Sequence, residues 1–181
     1  MMKTYILYAS VLFFFVAISC GILAWVNSRT YPLIQENRRM AEENARRGVF
    51  PYAMNFTMIE TEHLVYFRVY DANDDLIGYT FVAEGIGYSD YIRTMVGLNK
   101  DMSINRILIL YQKETPGLGD LCLRPDFTNR FIGLRRPDLR VDRDGGRIVS
   151  LTGATITTRT ITNSIRDYIG LLETALTGGI Q

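Results

Sequence analysis

Ser150-Leu151-Thr152-Gly153-Ala154-Thr155-Ile156-Thr157-Thr158 is a hydroxyl-rich stretch, broken by one glycine, that leads into a long amphipathic segment. Downstream, Ile161, Ile165, Tyr168, Ile169, Leu172 and Ala175 recur every three or four residues. That spacing places them on one face of a helix, with Gly178-Gly179 as its stop. The first turn of a helix carries backbone N–H groups without partners and the positive end of the dipole, so it can receive an anion such as a phosphate. The ordinary alternative is that Thr152 or Thr155 caps the helix through its side-chain oxygen.

Upstream the period changes. Leu64–Tyr70 and Ile77–Ala83 are β-rich runs on either side of Asp71-Ala72-Asn73-Asp74-Asp75, which predicts a hairpin. Tyr91–Leu98 and Ile104–Gln112 form a second pair around Asn99-Lys100-Asp101. Antiparallel hairpins followed by a C-terminal helix predict an α+β domain. After the last run comes Glu114-Thr115-Pro116-Gly117-Leu118-Gly119, in which Pro-Gly suits the central positions of a type II turn. Arg130–Arg147 is charged and punctuated by Gly and Pro. It reads as a solvated loop or, through Arg135, Arg136, Arg140 and Arg143, as a docking surface for an acidic partner.

Toward the N-terminus, Tyr5–Val26 is 22 residues without a charge, enough for a membrane-spanning helix, which takes about 20. Tyr5 and Trp25 stand at its ends, where interfacial aromatics are expected. A cleaved signal peptide is the rival reading, but the apolar run outlasts the usual apolar stretch of such peptides. Residues 30–48 are polar and rich in helix formers, so a second helix is expected from about Pro32 to near Gly48, as a spacer. The predicted organisation is an anchor over 1–28, a helical spacer over 29–50 and a domain over 51–181.

Composition excludes several classes. A formal net charge of +1 gives no basic surface for nucleic acid. Two cysteines and one histidine fall short of the four ligands of an ordinary zinc site. Cys20 lies in the apolar segment and Cys122 stands apart, which argues against an intramolecular disulfide. No nucleophile–base pair is legible, and His63 receives no role.

Thr152-Gly153-Ala154-Thr155, followed by Ile156-Thr157 and a helix, resembles the covalent FMN attachment motif of the Rnf-type and Nqr-type electron-transport subunits. Glu114-Thr115-Pro116-Gly117-Leu118-Gly119 resembles the flavin-pocket motif of the Rnf G-type and Nqr C-type subunits in the same relative position. Ala83-Glu84-Gly85-Ile86-Gly87-Tyr88 and Met95-Val96-Gly97-Leu98 are similar as well, so the likeness covers roughly Tyr66–Leu172 plus the anchor. The modest length is closer to the Rnf G-type subunit.

The resemblance implies an antiparallel, hairpin-rich FMN-binding domain with a C-terminal helix, behind a single transmembrane helix. It implies one covalent FMN on Thr155 through a phosphoester bond. Glu114, Thr115, Leu118 and Gly119 would line the flavin, and Thr152, Gly153, Ala154 and Thr157 would shape its phosphate end. The implied role is an electron-transfer subunit of an Rnf-type translocase, with no independent active site, relaying electrons between ferredoxin and NAD while Na⁺ or H⁺ moves. Its partners would be the other subunits of that membrane complex, with a flavin transferase for maturation.

The resemblance also puts the flavin domain on the outer face of the cell membrane, as a single-pass protein. Counting Lys3 against Arg29, Arg38, Arg39, Arg46 and Arg47 would place it inside, although charges in a long translocated domain count for little in that rule. One position departs from the family pattern. Three residues before the Thr-Gly-Ala-Thr core, where an Asp is usual, stands Val149, with Asp142 and Asp144 nearby but out of register. That departure keeps an alternative in view, an anchored, non-covalent FMN-binding module acting in sensing or assembly without electron transfer. A flavin-free structural membrane protein would explain the anchor but leave both motifs to coincidence.

Overall fold

The computed structural model describes residues 2–178, so Gly179 of the expected stop lies outside the described residues. The chain divides into two units, Met1–Ala41 and Glu42–Gln181. The first helix, α1, runs Met2–Val49 with Pro32 inside it. The sequence reading starts a separate helix at Pro32, and the structure has no such start. Proline there gives up one backbone bond to the Ser28 carbonyl. Nearby hydroxyls bond back to the same helix, Ser28 to the Trp25 carbonyl at 2.8 Å and Thr30 to that of Val26 at 3.0 Å. In the first unit the large apolar side chains, Phe13, Phe14 and Phe15 among them, are exposed. α1 is long and apolar enough to cross a membrane.

The second unit is a five-stranded antiparallel sheet in sequential order, β1 (Asn55–Glu60), β2 (Val65–Tyr70), β3 (Leu76–Ile86), β4 (Tyr91–Asn99) and β5 (Ile104–Tyr111). Both predicted hairpins are present, β2 with β3 and β4 with β5. Asp71 closes the first turn, its Oδ1 accepting from the N–H groups of Asn73 and Asp75 at 2.8 and 3.0 Å. The edge strand β1 is not legible in the sequence. Only Phe56 and Ile59 of its six residues are even half-buried, so no two-residue alternation marks it.

Each face of the sheet buries a different element. On one face lies α3 (Thr155–Gly178), whose Ile161, Ile165, Ile169 and Leu172 are fully buried against Phe81, Ala83, Ile92 and Val96. Burying each such large side chain contributes roughly 1.5–3 kcal/mol. The other face carries Val69 and Met95 under Val49 and Phe50. Between β5 and α3 the chain forms short turns, with α2 (Pro125–Thr128) placing Phe127 against Phe131, ring centres 5.4 Å apart, in the main core.

Candidate functional site

The turn after β5 folds as its composition predicts. Leu118 N–H donates to the Thr115 carbonyl at 3.1 Å and Gly117 has φ +76°, matching Pro at the second and Gly at the third position of a type II turn. Just before it, Glu114 is 5% exposed, and each of its carboxylate oxygens is occupied. Oε1 accepts from the N–H groups of Tyr88 and Ser89 at 3.0 and 3.1 Å, and Oε2 accepts from the Thr157 hydroxyl at 2.5 Å. Glu114 therefore ties the β3–β4 turn, the β5 exit and the first turn of α3 together. Gly119 leaves the room for this, since a Cβ there would stand 2.5 Å from Glu114 Cβ and 3.0 Å from Thr157 Oγ1.

The hydroxyl-rich stretch enters α3 through a tight turn. Gly153 has φ +74°, a left-handed conformation open to glycine at little cost, and a Cβ on it would meet Leu118 Cδ2 at 3.0 Å. Thr152 and Thr155 are the capping candidates by sequence, but neither side chain caps the helix. Thr158 does so from within, accepting the Leu151 N–H at 3.0 Å and donating to the Ala154 carbonyl at 3.1 Å. The Thr155 hydroxyl has no hydrogen-bond partner among the described residues, and neither do the backbone N–H groups of Thr155, Ile156 and Thr157.

These segments enclose a cavity of about 540 Å³. Glu114, Thr115, Leu118 and Gly119 form one part of its wall and Gly153, Ala154, Thr155 and Thr157 another. Thr152 is exposed at the turn and does not line it. Tyr88, Arg143 and Ile156 complete the wall and are not among the site residues expected from the sequence. Ile156 sits inside the motif and Tyr88 inside the Ala83–Tyr88 likeness, so both were within reach. Arg143 had no signal beyond the charged loop that carries it.

That loop is largely consumed by internal bonds. Arg135 pairs with Asp101 at 2.5 Å and Arg136 with Glu173 at 2.9 Å. The Arg130 guanidinium donates to the carbonyls of Asp126 at 3.0 Å and Val149 at 2.5 Å. The side chains of Arg140 and Arg143 make no hydrogen bond or ion pair among the described residues, and Arg143 acts on Asp142 only through space. A docking surface built from Arg135 and Arg136 is therefore weakened. Val149 itself is exposed. Asp142, out of register in the sequence, lies against the next residue, accepting from Ser150 N–H at 3.1 Å and Ser150 Oγ at 2.5 Å.

Beneath the site, Cys122 is fully buried. Burial above all, with the charges of Glu114 and Asp120, pushes its thiol up to about 12. Since the thiolate is the reactive form, Cys122 is expected to resist alkylation at pH 8 in the folded protein and to react promptly in denaturant. Peptide mapping after a timed iodoacetamide pulse checks this, and fast labelling of native protein would contradict the burial described. Among the described residues no cluster of His, Cys, Asp or Glu is arranged to hold a metal ion.

Residues 87–170 match the FMN-binding domain family, a window that holds both motifs and every lining residue of the cavity. The G-type subunit of the ion-translocating oxidoreductase complex of Methanosarcina acetivorans is 23% identical over 169 residues, covering 87% of this chain and 90% of that protein. Its counterpart from Shewanella piezotolerans is 29% identical over 84% of this chain and 82% of that protein. The crystal structure of Shewanella oneidensis NqrC superposes with a TM-score of 0.49 at 20% identity, over 66% of this chain and 67% of that one. With alignments that run nearly end to end and a matching FMN-binding domain, the chain is a homologue of the G-type subunits of ion-translocating oxidoreductase complexes.

Proposed function

We propose that this protein is the membrane-anchored flavoprotein subunit of an ion-translocating oxidoreductase complex of Rnf type, carrying one FMN bound covalently to Thr155. The observation that carries this reading is convergence. Two motifs separated in sequence by more than thirty residues wall one cavity, and the threonine at its edge keeps a free hydroxyl at the start of a 24-residue helix.

The residues present fit such a group. The cavity falls within the usual range for a small-molecule site, roughly 300–1,000 Å³. Leu118, Ile156, Ala154 and Tyr88 supply apolar and aromatic surface for a ring system. The unpaired N–H groups opening α3, with the positive end of its dipole, suit a phosphate. FMN, when bound, supplies one- and two-electron redox chemistry. The protein's part is to hold, orient and shield it. Thr155 Oγ1 would be the acceptor of the phosphoester, giving up its proton and bonding to the flavin phosphorus as the group beyond it is displaced. A flavin dinucleotide balances that step, its other half leaving as a nucleoside monophosphate, with a transferase as catalyst.

In this reading α1 anchors the domain at the cell membrane, on the outer face, where a covalent tether keeps the cofactor from being lost. Electrons pass between ferredoxin and NAD through the assembled subunits, and Na⁺ or H⁺ moves with them. The exposed Val149 favours one other reading, a non-covalent FMN-binding module, since it replaces an acidic residue usual in the attachment motif. Mass spectrometry of the denatured protein from its native membrane separates the two. A gain of one FMN minus one water on the peptide holding Thr155 is the expected result. An unmodified Thr155, from cells that flavinylate other proteins, would leave the non-covalent module.

A further inference from the structure

We propose that Arg143 recognises the flavin phosphate and makes this site select FMN over riboflavin, the same ring system without the phosphate. The inference rests on the reading of the cavity as a flavin site. Two charged side chains line the cavity, Glu114 and Arg143. Both Glu114 oxygens accept bonds from the protein, Oε1 from Tyr88 and Ser89 and Oε2 from Thr157, so three of its roughly four acceptor sites serve the scaffold. Arg143 has no carboxylate partner among the described residues.

The acids beside Arg143 in the chain form no ion pair with it, because each has a nearer partner, and the Asp142 charge reaches it only through space. Asp142 holds Ser150, whose hydroxyl keeps the carboxyl below its usual range. Asp144 takes two parallel bonds from Arg159 on α3, at 2.9 and 2.7 Å, and these likewise hold it down. Those same bonds fix the loop. Asp142 and Asp144 pin the 3₁₀ turn Asp142–Asp144 from both sides, and the Val141–Ile148 bridge closes its base. Arg143 is thus presented to the cavity on a braced, exposed tip, with no carboxylate at ion-pairing distance among the described residues.

A guanidinium in that position matches a phosphate, which accepts two parallel N–H bonds from the planar fork. The unpaired N–H groups of Thr155 and Ile156 supply further donors without sequence specificity. Once attached to Thr155, the phosphate still carries a negative charge, so the contact persists in the mature protein. A lysine would keep the charge but lose the fork.

The test uses full-length protein in detergent, produced without a flavin transferase so that Thr155 is unmodified, titrated with FMN and with riboflavin by fluorescence quenching. Wild type is expected to prefer FMN by roughly tenfold, the scale of one charge-assisted hydrogen-bonding group. Arg143→Gln should lose most of that preference while its riboflavin affinity stays within about twofold, and Arg143→Lys should recover part of it. An unchanged FMN-to-riboflavin ratio in Arg143→Gln would overturn the role of Arg143 and leave the flavin site standing. Equal loss of both flavins would overturn it too, as a packing effect. Failure of wild type to bind either flavin would overturn the flavin reading itself, and this inference with it.

Discussion

Thr155→Val is expected to abolish denaturation-resistant flavin, with in-gel fluorescence falling to background and the peptide losing its added mass. The fold should survive, because the Thr155 hydroxyl makes no hydrogen bond among the described residues and valine keeps its shape. The change in stability should stay within about 0.5 kcal/mol, as for substitutions that touch no structural feature. Thr155→Ser restores an acceptor hydroxyl and should restore label, at reduced yield because serine is less restrained at χ1. The geometry also says why the neighbouring threonines are poor substitutes. Thr157 is 1% exposed and its hydroxyl is given to Glu114, while Thr152 stands outside the cavity wall. Label that moved to either of them in Thr155→Val, at wild-type yield, would sink the assignment.

The second large effect falls on stability. Glu114→Ala is expected to cost about 2–4 kcal/mol, because it leaves the buried Thr157 hydroxyl and two part-buried backbone N–H groups without their acceptor, a buried orphan costing about 1–3 kcal/mol and a part-buried one less. The loss should appear in the denaturation midpoint of the full chain in detergent. Glu114→Gln should cost only about 1–2 kcal/mol. Its amide oxygen can still accept from Tyr88 and Ser89, and its NH₂ can donate to the Thr157 oxygen after that hydroxyl turns. Both variants should carry less flavin, in the same rank order. A Glu114→Ala protein within about 1 kcal/mol of wild type would mean that the three bonds do not organise the site.

The contrast between these two residues shows what was legible in the sequence. Both stood in motifs, and both line the cavity. Their opposite roles, one hydroxyl idle and one carboxylate bonded at both oxygens, depend on partners that no local pattern reveals. Tyr88 and Ser89 meet Glu114 through backbone N–H groups, which carry no residue signature. The hairpins and α3 were legible because their burial is periodic, as with Ile161, Ile165 and Ile169 on one face. β1 escaped because an edge strand with little buried surface has no period to read. The break expected at Pro32 failed because one missing backbone bond does not end a helix. Arg143 could not be found from spacing, since its importance comes from what Asp142 and Asp144 do with their own charges.

The Glu114 clasp also bears on timing. Its bonds join residues 25, 26 and 43 positions apart, so they close only after the hairpins have paired and the last helix has docked. Contacts of such separation form late, because the entropy of closing long loops is lost before they return any energy. A chain still emerging, or one that has misfolded, has the Thr-Gly-Ala-Thr letters but no cavity wall beside them. A transferase that reads the wall as well as the letters would therefore pass over it. Covalent flavin would then mark chains that have finished folding, and unmodified copies in a membrane preparation would be enriched in those that have not.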